Sequence, residues 1–218
     1  MKIALIGATG FVGAAVLTEL INRDHHVTAL VRDPTRVAAH ANCNAHALDA
    51  TDSAAVAHAV RGHDAVVSAF NPGWNEPDLY ARFMKGSLAI ERGVEASGVK
   101  RFLVVGGAGS LFVAPGVQLV DTSGFTDHVP PNVVPGARAA RDMLTALRAN
   151  TALDWTLISP PAMLESGARS GEYWLGGEEL LMVDGQPAGI SVADLAVAIV
   201  DELEQRRFVG QRFTVARP

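Results

Sequence analysis

Apolar positions recur along the chain in two rhythms. Short runs dense in Val, Ile, Leu and Ala fall at Ile3 to Ile6, His26 to Val31, Ala45 to Leu48, Asp64 to Ala69 and Arg101 to Val105. Their brevity and their Gly, Pro, Asn and Asp flanks predict buried strands. Between them lie segments of helical spacing: Phe11 to Asn22, where Val12, Val16 and Leu20 repeat every four residues, then Pro34 to His40, Ser53 to Val60 and Asp78 to Ser97. Strand and helix in alternation predict an α/β domain with a parallel sheet. A parallel crossover needs a dozen or so residues, and its helix must lie on the sheet, so helices cover both faces. The connections should be right-handed.

Beyond Val105 the rhythm changes. A GGAGS run leads into a loop-like stretch from Leu111 to Pro135, too long for a mere connector, then a helix from Gly136 to Asn150. A sixth strand, Asp154 to Ser159, ends at Pro160 and Pro161; short strands follow at Leu180 to Asp184 and Arg212 to Val215. A helix from Val192 to Gln205 has a clear start, with Ser191 as its cap and Asp194 at the capping-box position. No internal repeat breaks the chain. The expectation is one domain, 1–218, whose C-terminal part from about 160 to 218 caps it and supplies a pocket wall.

Composition narrows the class. The 218 residues correspond to roughly one large domain. With 49% hydrophobic and 19% charged residues, and no run of eighteen apolar positions, disordered, collagen-like and membrane-spanning readings fall away. The formal net charge of −5 has the wrong sign for a nucleic-acid partner. One cysteine, Cys43, cannot form an internal disulfide, and the opening KIALI reads as a strand rather than a secretion signal, so a cytoplasmic address is expected.

The chemistry begins at Gly7, Gly10 and Gly13, which stand as GATGFVG between the first strand and the first helix. Gly7 suits the tight turn, Gly10 the approach of a pyrophosphate, and Gly13 close helix–strand packing, while Thr9, Phe11 and Val12 bring their backbone to the same helix mouth. The fold class is therefore a Rossmann-like, doubly wound parallel sheet with a small C-terminal cap. Arg32, at the end of the second strand, favours NADP, because a guanidinium there can pair with the 2′-phosphate; Arg36 adds a second charge. Asp33 is the contrary signal, and a solvated surface arginine is the plainer reading. His40, Cys43 and His46 have a metal-like spacing but feed straight into a strand, and no metal is expected.

These segments carry a resemblance. GATGFVG, VRDP, LDATD, VVSAF, VKRFLVVGGAGSL, LDWTLISPP, ISVADLAVAIVDELE and QRFTV are similar to the atypical short-chain dehydrogenase/reductases. Within them the likeness is to the NAD(P)H-binding group of NmrA-like and NADH-flavin reductase-like proteins. By position, the resemblance implies that Asp49 and Ala50 meet the adenine and that Ala69 and Phe70 flank the ribose. Gly106 and Gly107 would lie beneath the nicotinamide half, with Pro160 and Pro161 shaping its pocket.

The chain departs from the broader family in one respect. Many members use a tyrosine and a lysine four residues later to protonate a carbonyl oxygen; here Tyr80 and Tyr173 are the only tyrosines, and neither has that lysine. Ordinary ketone reduction is thereby disfavoured, since an alkoxide forming without a placed donor is costly. A conjugated acceptor spreads the incoming charge, so a flavin or quinone is expected, with FMN or FAD as substrate rather than bound cofactor. Trp74, Phe112, Phe125, Tyr173 and Trp174 are candidate stacking residues, and Ser110 and Arg138 candidates to polarise the acceptor. The leading expectation is an NADPH-dependent reductase acting on a small molecule, as a monomer or homodimer. The alternatives are an NmrA-like NADP-binding sensor without turnover and a nucleotide-sugar epimerase or dehydratase.

Overall fold

A computed structural model describes residues 1–217. Strands β1 (Lys2–Ile6), β2 (His26–Val31), β3 (Cys43–Ala47), β4 (Ala65–Ser68) and β5 (Arg101–Val105) alternate with helices α1 (Phe11–Asn22), α2 (Ser53–Val60) and α3 (Leu79–Ser97). A hairpin of β6 (Phe112–Ala114) and β7 (Val117–Gln118), a single turn α4 (Phe125–His128), helix α5 (Val134–Arg148) and β8 (Asp154–Ser159) follow. Next come β9 (Met163–Glu165), β10 (Trp174–Gly176), the hairpin β11 (Met182–Val183) and β12 (Gln186–Pro187), β13 (Gly189–Ser191), α6 (Val192–Gln205) and β14 (Gln211–Ala216).

Eight strands form the central sheet in the order β10-β14-β8-β5-β4-β1-β2-β3. All neighbouring pairs are parallel except edge strand β10, which runs antiparallel to β14. The chain moves outward from β1 to β2 and β3, then returns to place β4 on the other side of β1. That reversal opens a crevice at the carboxyl ends of β1 and β4, the position where open α/β sheets hold their ligands.

The pleat sorts the core into two halves. Ile3 and Leu5 of β1 face α1 and α6, joining Val16, Leu20, Leu195 and Ile199, whereas Ala4 and Ile6 face the layer of α2, α3 and α5. Helix α1 buries Val16 and Leu20 on one stripe, and full burial of a side chain such as Leu20 contributes about 1.5–3 kcal/mol. Ser191 caps α6 through its hydroxyl, as expected, but Asp194 answers with a carboxylate that also takes the amides of Ser170 and Gly171.

The expected elements differ from the observed ones where local signals competed. The helix expected over Pro34 to His40 is one 3-10 turn, Pro34–Arg36. Asp33 starts it by accepting from the Thr35 amide, but Ala38, Ala39 and His40 are exposed, so no apolar face repays helix nucleation. Pairing with β2 sets β3 at Cys43–Ala47 rather than Ala45 to Leu48. The stretch from Leu111 to Pro135 is structured, and Pro135 sits in the first turn of α5 instead of before it, where its missing N–H costs nothing. The segment expected as a cap divides: β14 enters the sheet beside β8 and α6 covers it, while the two-stranded pairs β9–β13 and β11–β12 lie outside.

Candidate functional site

The turn between β1 and α1 separates two kinds of glycine. Gly7 has φ +83°, and a Cβ there would lie 2.6 Å from the Ala69 carbonyl oxygen. A Cβ on Gly13 would lie 2.0 Å from the Gly7 carbonyl oxygen. The fold itself excludes side chains at both. Gly10 is different: its φ of −80° and ψ of 171° suit any residue, and a Cβ would meet only the Gly7 oxygen at 3.4 Å, an ordinary contact. Gly10 is also the N-cap of α1, and no side chain caps that helix. The first-turn amides of Phe11, Val12 and Gly13 thus face the crevice with the positive end of the helix dipole behind them, a cradle for a diphosphate.

Arg32 and Arg36 are both exposed beyond the end of β2, with no ion-pair partner among the described residues. Asp33, the contrary signal, is occupied: its Oδ1 accepts from the Thr35 amide at 3.1 Å and hydroxyl at 2.6 Å, which hold its carboxyl below the ordinary range. Asp49 is engaged likewise by the Thr51 amide and hydroxyl, which lower its pKa, while Asp52 caps α2. Asp49 and neighbouring Ala50 sit just past Leu48, at the rim on the same side of the sheet as β2 and β3. Ala69 runs past Gly7, but the Phe70 ring is tucked under α3. It packs near Phe83, and a Cβ on Gly86 would lie 2.3 Å from it. Phe70 therefore offers the crevice its backbone, not its ring.

At the other half of the crevice, the Gly106 amide donates to the Ile158 carbonyl, and a Cβ on Gly106 would meet Leu157 at 2.8 Å. Gly107 lies against Ala140 of α5, and Pro160 and Pro161 are buried at the end of β8. Ser110 is 1% exposed; its hydroxyl donates to the Gly107 carbonyl at 3.2 Å and lies 3.3 Å from the Ser159 hydroxyl. Arg138 projects from the exposed face of α5, without an ion-pair partner among the described residues. Tyr80 donates from α3 to Asp142 on α5 at 2.7 Å, which raises its pKa, and four residues on from it stands Met84.

The candidate aromatics do not form one cluster. Trp74 lies over Gly136 at the start of α5, with its carbonyl held by Asn132. Phe125 is buried apart from it, in a small cluster with Val120 and Val134. Phe112 lines an open groove of about 760 Å³ together with Pro115, Glu178, Leu180 and Met182. Tyr173 packs on the α1 and α6 side, where its hydroxyl donates to Asp201, and burial followed by that bond raises its pKa to about 12. Asp201 pairs with Arg23 at the end of α1, roughly 18 Å of helix away from the glycine turn. Trp174 is half exposed on edge strand β10. Neither Tyr173 nor Trp174 joins the aromatics near α5, because the β10 segment follows the sheet edge. Cys43 and His46 project from opposite faces of β3 by the strand's alternation, so they do not converge with His40.

Sequence reading missed Arg212, whose side chain is fully buried beneath this half of the crevice and bonds to both Ser110 and Ser159. The available signal was a cation inside the apolar run of the last strand, QRFTV.

Comparisons with known proteins bear on the family and the fold. The model of a family described as NAD(P)H-binding matches residues 7–205. The Bacillus subtilis protein YwnB, itself uncharacterised, is 34% identical over 99% of this chain and 98% of its own length. A Bacteroides thetaiotaomicron structure named "putative epimerase" is 40% identical with a TM-score of 0.91, covering 99% of this chain and 96% of that one. A Streptococcus pneumoniae structure named "putative NADH-flavin reductase" is 32% identical with a TM-score of 0.85 over the whole of both chains.

Proposed function

Because the chain belongs to the NAD(P)H-binding family, we propose that it is an NADPH-dependent oxidoreductase that reduces a conjugated small molecule, a flavin or a quinone. The observation that carries the reading is Gly10: the protein leaves room for a side chain there, so the fold does not call for glycine, and a diphosphate approaching the helix mouth accounts for it. Gly7, Thr9 and the amides of Phe11, Val12 and Gly13 hold the diphosphate, and Arg32 with Arg36 takes the 2′-phosphate. Asp49 and Ala50 border the adenine, and the Ala69 and Phe70 backbone borders the ribose. Gly106, Gly107, Pro160 and Pro161 floor the nicotinamide, which when bound supplies hydride to the acceptor.

Support for a conjugated acceptor comes from what surrounds that floor. Ser110 is buried and its hydroxyl committed to Gly107, so this candidate is not placed to act as the acid that protonates an alkoxide. Trp74 beside the start of α5 and Phe112 in the groove with Glu178 and Met182 are the apolar surfaces offered to the acceptor, and Arg138 can draw charge onto it. The same lack of a placed acid favours one second reading, a sensor that binds NADP and signals without turnover. The test is NADPH oxidation with FMN, FAD or a quinone. Turnover above the rate in free solution supports the reductase; none, with tight binding of both oxidised and reduced nucleotide, replaces it with the sensor. The cytoplasmic address and the monomer or homodimer state belong to the same proposal and are read by cell fractionation and light scattering. Among the described residues no helix is long and apolar enough to cross a membrane.

A further inference from the structure

A buried cation needs a reason, and Arg212 has an unusual one. Its side chain is wholly inaccessible, on the β14 face that looks toward α5, and its Nε has no partner among the described residues. Replacing such a cation with an apolar residue of similar volume is often neutral for stability, so stability alone does not account for it. Its two remaining nitrogens fan out to three separate segments. Nη1 donates to the Ser159 hydroxyl at 3.2 Å and the Ser110 hydroxyl at 3.4 Å; Nη2 donates to the Glu178 carbonyl at 2.9 Å and to its carboxylate.

Each of those segments leads to the reaction centre proposed above. Ser110 in turn donates to the carbonyl of Gly107, fixing the glycine turn. Ser159 is the residue before Pro160 and Pro161. The Glu178 carbonyl also accepts from the Phe112 amide, and Leu180 donates back to Phe112, so the same strap sets the wall of the groove. Glu178 is steadied from outside by Arg148 at 2.6 Å. Resting on the nicotinamide reading, we propose that Arg212 is a positioning residue: by bonding Ser110, Ser159 and Glu178 together, it registers the nicotinamide floor against the acceptor wall. It touches neither reactant and acts through the two hydroxyls. The Arg148–Glu178–Arg212 chain then links the groove beside Phe112 to the floor beside Gly107.

The test separates the two halves of the nucleotide. Adenosine 2′,5′-bisphosphate, which lacks the nicotinamide, and NADPH are titrated against wild type, Arg212→Met, Arg212→Lys and Ser110→Ala, and kcat and KM are measured with FMN. Arg212→Met should weaken NADPH about tenfold and lower kcat by a similar factor, the loss of one charge-assisted anchor, while the bisphosphate changes by less than about twofold. Arg212→Lys should recover part of the loss, and Ser110→Ala should show the same split in smaller measure. Equal weakening of both ligands, or no change in either, overturns the positioning role. If Arg212→Met does not fold, Ser110→Ala decides the matter alone, because it removes one hydroxyl and leaves the ion pair intact. Wild type that binds neither ligand overturns the nucleotide reading itself, a result distinct from intact wild-type binding with unaltered variants.

Discussion

Replacing Gly10 with serine pulls stability and binding in opposite directions, which makes it the sharpest check on the phosphate cradle. Gly10 is the N-cap of α1 at φ −80° and ψ 171°, a conformation open to serine, and a Cβ there meets nothing closer than 3.4 Å. Serine is a better N-cap than glycine by a few tenths of a kcal/mol, since its hydroxyl accepts from a first-turn amide. For a chain of this size that raises the melting temperature by about 1 °C or leaves it unchanged. The same hydroxyl would occupy the amides that the proposed diphosphate site uses, and the Cβ would stand on the proposed path of the phosphate. Loss of one charge-assisted hydrogen bond costs about 1.5–3 kcal/mol, or about 10- to 150-fold in dissociation constant. Calorimetric titration with NADPH and thermal unfolding without it read both quantities on one preparation. Gly13→Ala is the control of opposite character. Its Cβ at 2.0 Å from the Gly7 oxygen forces α1 off the strand, for a cost of about 1–3 kcal/mol and a fall of roughly 2–12 °C. A Gly10→Ser protein that binds NADPH as tightly as wild type refutes the cradle.

Three further outcomes follow from particular contacts. Arg32→Asp should shift the ratio of NADPH to NADH affinity toward NADH, because the exposed guanidinium is replaced by an acceptor for ribose hydroxyls; an unaltered ratio means Arg32 does not read the 2′-phosphate. Glu202 is fully buried and bonded to Arg101 at 2.7 Å, so Glu202→Leu, which strands that arginine, should cost about 3–5 kcal/mol in urea unfolding; a loss under 1 kcal/mol would show that the pair is not holding α6 to the sheet. Burial pushes the Asp194 carboxyl up, but the Gly171 amide and the Ser191 and Ser170 hydroxyls outweigh it and hold it below the ordinary 3.8. Its contribution is complete above that value and lost as pH falls through the lower folded one, so Asp194→Asn should be less stable at neutral pH and less sensitive to acid below it. Parallel wild-type and variant acid titrations would refute this.

How much was legible in the sequence depends on how local the cause was. The αβ alternation, the boundaries of β2, β5, β8, α1, α2 and α6, and the GATGFVG turn were readable, because period, caps and glycine chemistry act over a few neighbouring residues. Pro34 to His40 differs for the opposite reason: its spacing suits a helix, and only the exposure of Ala38, Ala39 and His40 in the folded chain leaves that helix without an apolar face to bury. The aromatic set shows the same limit. Composition could propose Tyr173 as a pocket residue, but the path of the chain beside β14 set its hydroxyl against Asp201.

The sequence by itself determined that this chain is a doubly wound α/β domain with a dinucleotide-type turn, since those features follow from short-range periodicity and backbone sterics. Only the tertiary structure decided which glycine is free for a ligand, which arginine is buried, and which hydroxyls meet. Gly10 and Gly13 are three residues apart and look alike in the sequence, yet a Cβ on the first would clear the Gly7 oxygen at 3.4 Å and one on the second would collide with it at 2.0 Å. Ser110 lies 49 residues before Ser159, and Ser159 lies 53 before Arg212; the three are joined only by the pairing of β8 with β14 and the turn beyond β5. Contacts between residues so distant arise from packing three segments on one sheet face, and no local pattern encodes that.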